Sequence, residues 1–211
     1  MLLKLNISYL HRKEQSMKLF FPFFLIFSFI IYSRVKKSTT IDDQKSAILE
    51  KERKANETRR QNIDNMDYIT IPLEKLPFIS NPSQIIAGYE KKIRSLAQKR
   101  ILNLGGISNT DLKMQYGAAN LPQLSEYDEN YLLLVTTCGK WAEALINEGY
   151  KDEAITLLET AVEIGCDSSS IYLNLNTLYK ERGIDKTDYL VAKISATNSQ
   201  MKDSIIKKLK M

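Results

Sequence analysis

The chain has 211 residues, 44% of them hydrophobic and 26% charged, a globular rather than a disordered composition. Its formal charge of +5 is unevenly spread: residues 1–65 hold 13 Lys/Arg against 7 Asp/Glu, and residues 66–211 hold 17 against 18. A nucleic-acid-binding domain concentrates positive charge on its own surface, so the even balance after residue 65 argues against one.

Imidazole chemistry is equally poorly supplied. The only histidine, His11, precedes the first hydrophobic segment, and Cys138 and Cys166 lack metal-ligand spacing. No phosphate-cradling glycine loop or nucleophile–base pair is visible either. The chain therefore reads as a non-enzyme with no catalytic, cofactor-binding or metal-binding residue, no cofactor and no small-molecule substrate.

Residues 1–18 form a leader, with Met17 as an alternative start. Residues 19–33, LFFPFFLIFSFIIYS, are an uncharged apolar run with five Phe before position 28. As a helix the run would span roughly 22 Å, short of the ~30 Å hydrocarbon core, with Lys18 and Arg34 placed to snorkel and Tyr32 at the interface. An uncleaved signal-anchor, a cleaved signal peptide and a core helix all fit such a segment. No small-x-small exit comes after it, which favours a single-pass anchor in a membrane protein. Lys/Arg on both flanks leave the side of the membrane open.

Residues 34–66 make a charged stalk. From Ile41 to Asn65 there is no Pro or Gly, and only Ile41, Ala47, Ile48, Leu49 and Ile63 could be buried. A helix this polar gains little from packing, so a solvated spacer is expected. In residues 67–82, Pro72, Pro77 and Pro82 forbid a helix while Ile69, Ile71 and Leu73 alternate, which predicts an extended segment strapped onto the C-terminal helices.

Residues 83–211 read as an all-α domain. Ser83 caps a helix expected to reach Asn103, stopped by Gly105-Gly106. Ser108, Asn109 and Thr110 offer caps for a short helix through Leu112 and Tyr116, closed by Pro122. Glu126, Asp128 and Glu129 stand at the expected start of the next helix, where its dipole accounts for them. From about Tyr127, Leu134, Cys138, Trp141 and Leu145 fall at helical spacing, and Trp141 reads as core. Gly149-Tyr150 turns the chain; Ile155, Leu158, Ala161 and Val162 carry the helix that Gly165 ends. In this hairpin Cys138 and Cys166 come near disulfide reach, with buried free thiols the plainer reading.

The pattern then restarts with Tyr172, Leu175 and Tyr179, broken at Gly183. Cys138 to Tyr172, Trp141 to Leu175, Leu145 to Tyr179 and Gly149 to Gly183 are each 34 residues apart, the period of a helix–turn–helix repeat. On these residues, with Ala142, Ala154 and Ala161 at close-approach positions, the chain resembles a tetratricopeptide repeat over about residues 130–197. The second copy is degenerate at Asp188, Ala192 and Ser195. The tail, with Met201, Ile205, Ile206 and Leu209 on one face, reads as a cap. Separately, NTDLKMQYGAANLPQLSEYDENY looks like a stretch shared by a group of uncharacterised anchored bacterial proteins, a likeness that brings no activity with it.

The resemblance implies a short α-solenoid of helical hairpins, and together with the anchor and the spacer it points to a membrane-anchored scaffold or adaptor for protein–protein interaction. It places a protein or peptide partner on the inner face of each hairpin's first helix. Here those positions are Thr136, Gly139, Glu143, Ile146 and Asn147, then Ser170, Leu173, Thr177, Lys180 and Glu181. A self-associating structural component of the cell envelope is the alternative.

Overall fold

The computed structural model describes residues 26–34 and 43–211. The chain divides into two compact units, Met1–Lys54 and Ala55–Met211. Among the described residues it is all-helical, with no strand.

In the first unit, residues 26–34 are helical and exposed throughout, Phe27, Phe29, Ile30 and Ile31 included. Among the described residues no helix is long and apolar enough to cross a membrane. The first seven residues of the predicted 15-residue hydrophobic segment, 19–25, and the leader, 1–18, lie outside the described residues. Helix α1 covers residues 43–57, and its first-unit part is almost wholly exposed. Arg53 forks onto Glu50 at 2.8 and 2.9 Å and holds that carboxyl down at about 2.

The spacer expected to run to residue 66 ends sooner. Ala55 and Ile63 are buried, so the chain from Ala55 onward is part of the second unit.

That unit has two apolar cores. The smaller gathers Ile63, Leu102, Leu104, Leu112, Leu124 and Tyr127. The larger fills the space between the long helices, with Trp141 and Tyr172 as its bulkiest fully buried side chains.

Helix α2 (Gln84–Leu96) starts at Ser83, whose Oγ accepts the Ile86 amide at 3.3 Å. Ile86, Glu90, Ile93 and Leu96 form its buried stripe. It stops seven residues short of the predicted Asn103, because the next position on the stripe is the exposed Arg100. Ile101–Leu104 instead run extended and find their hydrogen bonds elsewhere. Ile101 O accepts the Ile69 amide, Leu102 N donates to Tyr127 O, and Leu104 N donates to the Asp128 carboxylate.

Helix α3 (Asn109–Tyr116) is capped by Ser108 as its sequence suggests. Pro122 does not close it. That proline sits in the first turn of α4 (Leu121–Asn147), where no backbone N–H is needed, so α4 begins six residues before the expected Tyr127. With 27 residues α4 is about 40 Å long and is the spine of the unit. Helix α2 packs on one flank of it and α5 (Lys151–Glu163) on another. Helices α6 (Ser169–Glu181), α7 (Thr187–Ser195) and α8 (Lys202–Leu209) come next in order.

Residues 67–82 hold a single 3-10 turn, Leu73–Lys75, and dock through apolar side chains and through the Ile69 and Ile79 amides, which donate to Ile101 O and the Glu90 carboxylate. The Phe78 and Trp141 rings lie with centroids 5.7 Å apart, and the Arg94 guanidinium sits 3.6 Å from the centroid of the Phe78 ring.

The 34-residue offset seen in the sequence has a structural counterpart. Gly149, Gly165 and Gly183 all have φ between 70° and 88°. After each, the next amide bonds back to a carbonyl five residues earlier: Tyr150 to Leu145, Cys166 to Ala161, Ile184 to Tyr179. This is the helix-ending motif that a residue with positive φ permits. Cys138, Trp141 and Leu145 in α4 match Tyr172, Leu175 and Tyr179 in α6, all buried. The correspondence extends once more, since Ile171 and Leu175 match Ile205 and Leu209 in α8 at the same offset. It fails in α7. Ala154, Leu158 and Ala161 of α5 are buried, but Asp188, Ala192 and Ser195 are exposed, and α7 turns Leu190 and Ile194 inward instead.

Candidate functional site

The nine positions named for partner contact, with Gly139, lie on α4 and α6, the two helices that carry the offset. Thr136, Glu143, Asn147, Thr177, Lys180 and Glu181 are exposed. Ile146 and Leu173 are half-buried and pack against the main core. The two helices meet at Gly139, where a Cβ would stand 3.0 Å from Ser170 Oγ. Ser170 shares a 2.9 Å hydrogen bond with Ser168. Glu181 is engaged by Lys151 of α5 at 2.7 Å, so its carboxylate is already committed to a surface ion pair. Glu143 and Asn147 open onto a groove of about 510 Å³ between α2 and α4, where Ile85 and Tyr89 face Lys140 and Ala144. That groove joins two of the nine positions; it does not reach those on α6.

A second groove, of about 490 Å³, contains none of the nine. One wall is α4, through Asp128, Tyr131, Leu132 and Val135. Residues 167–169, residues 198–201, Asn103 and the Gly105–Gly106 turn supply the rest.

Local folding explains how these parts meet. Gly106, with φ of 85°, reverses the extended stretch beside α4. The Gly165 motif ends α5 and delivers residues 167–169 to the Tyr131 ring. The Tyr131 hydroxyl donates to Asp167 Oδ1 at 2.7 Å and lies 3.1 Å from Gly165 O. Burial, reinforced by Asp167, pushes this phenol above its usual range. Asp128, expected to serve the dipole of a helix start, stands in the third turn of α4 and accepts Leu104 N at 2.9 Å. Both aspartates are thus oriented by neutral donors.

Elsewhere the polar side chains hold the fold together. Asn120 is fully buried, and its amide donates to Gln61 O and Tyr116 O while its oxygen accepts Arg60 Nε at 2.8 Å. Tyr179 donates to Glu159, and Lys186 Nζ lies 3.2 Å from the same carboxylate, tying α5, α6 and the start of α7 together. Cys138 and Cys166 are free and buried, and the Cys138 thiol together with burial pushes the Cys166 thiol up. Trp141 is fully buried in the core, and its Nε1 and the Tyr172 hydroxyl have no hydrogen-bond partner among the described residues. Among the described residues no group of three or more His, Cys, Asp and Glu is placed to hold a metal ion.

Comparison of the chain with family models, with curated proteins and with solved structures finds no match.

Proposed function

We propose that the chain is a membrane-anchored scaffold or adaptor that holds a protein partner on tetratricopeptide-like helical hairpins and carries out no chemistry of its own. The observation that carries this reading is the 34-residue recurrence of one turn geometry and one set of buried seats in α4 and α6, continued by Ile205 and Leu209 of α8. Stacked hairpins of this kind form a short solenoid whose first helices line one face, and a peptide recognised there is held by shape and a few polar contacts. Helix α2 covers the first hairpin at one end, and α8 repeats only a first helix at the other. Met201, Asp203, Lys207 and Lys208 are exposed on or beside α8, a surface that discourages further stacking.

The anchor part of the reading draws on residues 26–34. An exposed helix bearing Ile26, Phe27, Phe29, Ile30 and Ile31 requires a non-aqueous cover. The sequence just before it, residues 19–25, is Phe-rich and uncharged, which suits lipid better than a folded core.

Crosslinking of the tagged full-length chain in its native membranes tests the proposal. A specific protein should be captured, and Glu143→Lys with Leu173→Ala should weaken capture at least fivefold while the helical circular-dichroism spectrum is kept. Capture unaffected by both changes sinks the inner-face assignment. Recovery of the chain crosslinked only to itself, with concentration-dependent oligomers in detergent, would replace the adaptor with a self-associating envelope component.

A further inference from the structure

The second groove has a charge pattern at odds with the rest of the protein. Among the described residues its only charged lining groups are Asp128 and Asp167, with no Lys, Arg or His, although residues 66–211 hold nearly equal numbers of the two signs, 17 Lys/Arg against 18 Asp/Glu. Neither carboxylate pairs with a cation among the described residues. Asp128 accepts one amide hydrogen from Leu104, and Asp167 one hydroxyl hydrogen from Tyr131. A carboxylate has about four acceptor positions, so both keep capacity for a further donor while being held in place by a first. Such pre-ordering lowers the cost of binding a cationic group.

Beside the carboxylates runs an apolar strip. Leu132 is 57% exposed and Met201 54%, and Val135 lies half-buried in the α4 wall. The exposed leucine and methionine gain from being covered and the carboxylates beside them have room for a cationic donor, so together they describe an occupant with a positive group flanked by apolar side chains. Among the described residues no group of three or more His, Cys, Asp and Glu is placed to hold a metal ion, and a bare cation would not cover the apolar strip. A free amine would leave the strip uncovered. A volume near 490 Å³, open along its length, suits a short stretch of polypeptide.

We infer that this groove docks an extended segment of a partner protein that carries Lys or Arg flanked by aliphatic residues, the cation taken by Asp128 and Asp167 and the aliphatic side chains by Leu132, Val135 and Met201. The groove shares none of the nine inner-face positions, so the inference stands or falls apart from the adaptor reading.

The test uses the full-length chain in detergent micelles and a displayed library of random heptapeptides. Lys or Arg next to Leu, Ile, Val or Met should be enriched. The best peptide, made synthetically, should lose at least tenfold in affinity when its Lys/Arg is changed to Gln. It should lose a similar factor against an Asp128→Asn, Asp167→Asn double variant, in which each amide still offers an oxygen to Leu104 N or Tyr131 Oη. Raising the salt from about 50 mM to about 500 mM should weaken binding severalfold, as screening of a charge pair demands. Leu132→Ala, a change at an exposed position, should weaken it about threefold and serves as the folded control should the double variant lose its helical spectrum. Absence of enrichment, enrichment of acidic or uncharged sequences, or affinity unchanged in the folded Asn variant and in Leu132→Ala would overturn the inference.

Discussion

A Cβ on Gly117 would stand 2.5 Å from the carbonyl oxygen of Arg59 and 2.7 Å from the Cα of Arg60. Backbone therefore crosses backbone where the chain enters the helical unit, and the crossing is closed by the Gln61 amide on Tyr116 O at 2.9 Å. Gly117 also has φ of 88° with ψ of 143°, a conformation that side chains disfavour by roughly 1–3 kcal/mol. Gly117→Ala should thus lose both the backbone conformation and the close approach, lowering stability by at least about 2 kcal/mol in urea unfolding of the purified chain. A loss below about 0.5 kcal/mol would mean that residues 59–61 can lift away at little cost.

Asn120 secures the same crossing from beneath. Removing its amide leaves Gln61 O and Tyr116 O without their side-chain donor and Arg60 Nε without its acceptor. Asn120→Ala is expected to cost about 1–3 kcal/mol, and because the freed segment contains Arg59 and Arg60, trypsin should cut there sooner than in the parent. Unchanged cleavage at these arginines would show that the crossing is held without Asn120.

These two residues also mark where sequence reading stops. Apolar residues and glycines at fixed spacing announce themselves, so the offset linking Trp141 to Leu175 and Gly149 to Gly183 is legible, as is the Ser108 cap. Ile101, Leu102 and Leu104 mislead because apolar residues after a helix look like more helix; nothing local says that Tyr127 O and Asp128 will take the Leu102 and Leu104 amides. Pro122 fits a helix end and a helix beginning equally well, and only the neighbours of Asn120 decide between them. The acidic groove is beyond reach for a different reason: Asp128 and Asp167 are far apart in the chain and come to line one groove only because the Gly165 turn brings Asp167 to the Tyr131 hydroxyl. The offset also runs one step further than the sequence suggests, since Ile205 and Leu209 look like a cap on their own and become partners of Ile171 and Leu175 only in the packed core.

That last correspondence is testable. Leu175 and Leu209 are 0% and 1% exposed, so truncating either opens a cavity in the same core. Leu175→Ala and Leu209→Ala should each cost about 2–5 kcal/mol in denaturant titrations. Were α8 merely resting on the surface, Leu209→Ala would cost less than about 1 kcal/mol and hydrogen exchange would show residues 202–209 opening independently.

The buried phenols set the alkaline limit of the fold. Burial, aided by Asp167 for Tyr131 and Tyr172 and by Glu159 for Tyr179, pushes all three above the ordinary tyrosine range. In the unfolded chain they ionise near pH 10. A pKa raised by folding contributes stability that is complete below the unfolded value and is lost as pH rises beyond it, because the unfolded chain releases protons that the folded chain keeps. Stability should therefore hold up to about pH 10 and fall steeply above it. Absorbance at 295 nm should then rise in two stages: exposed tyrosines first, and Tyr131, Tyr172 and Tyr179 together with the loss of helical signal. Tyr172→Phe separates the contributions, since that hydroxyl has no partner to lose. It should leave neutral-pH stability within about 1 kcal/mol of the parent or raise it, whereas Tyr131→Phe, which strips Asp167 of its donor, should lower it by about 1–2 kcal/mol. A single-stage titration centred near pH 10 with the helices intact would show these phenols to be open to solvent.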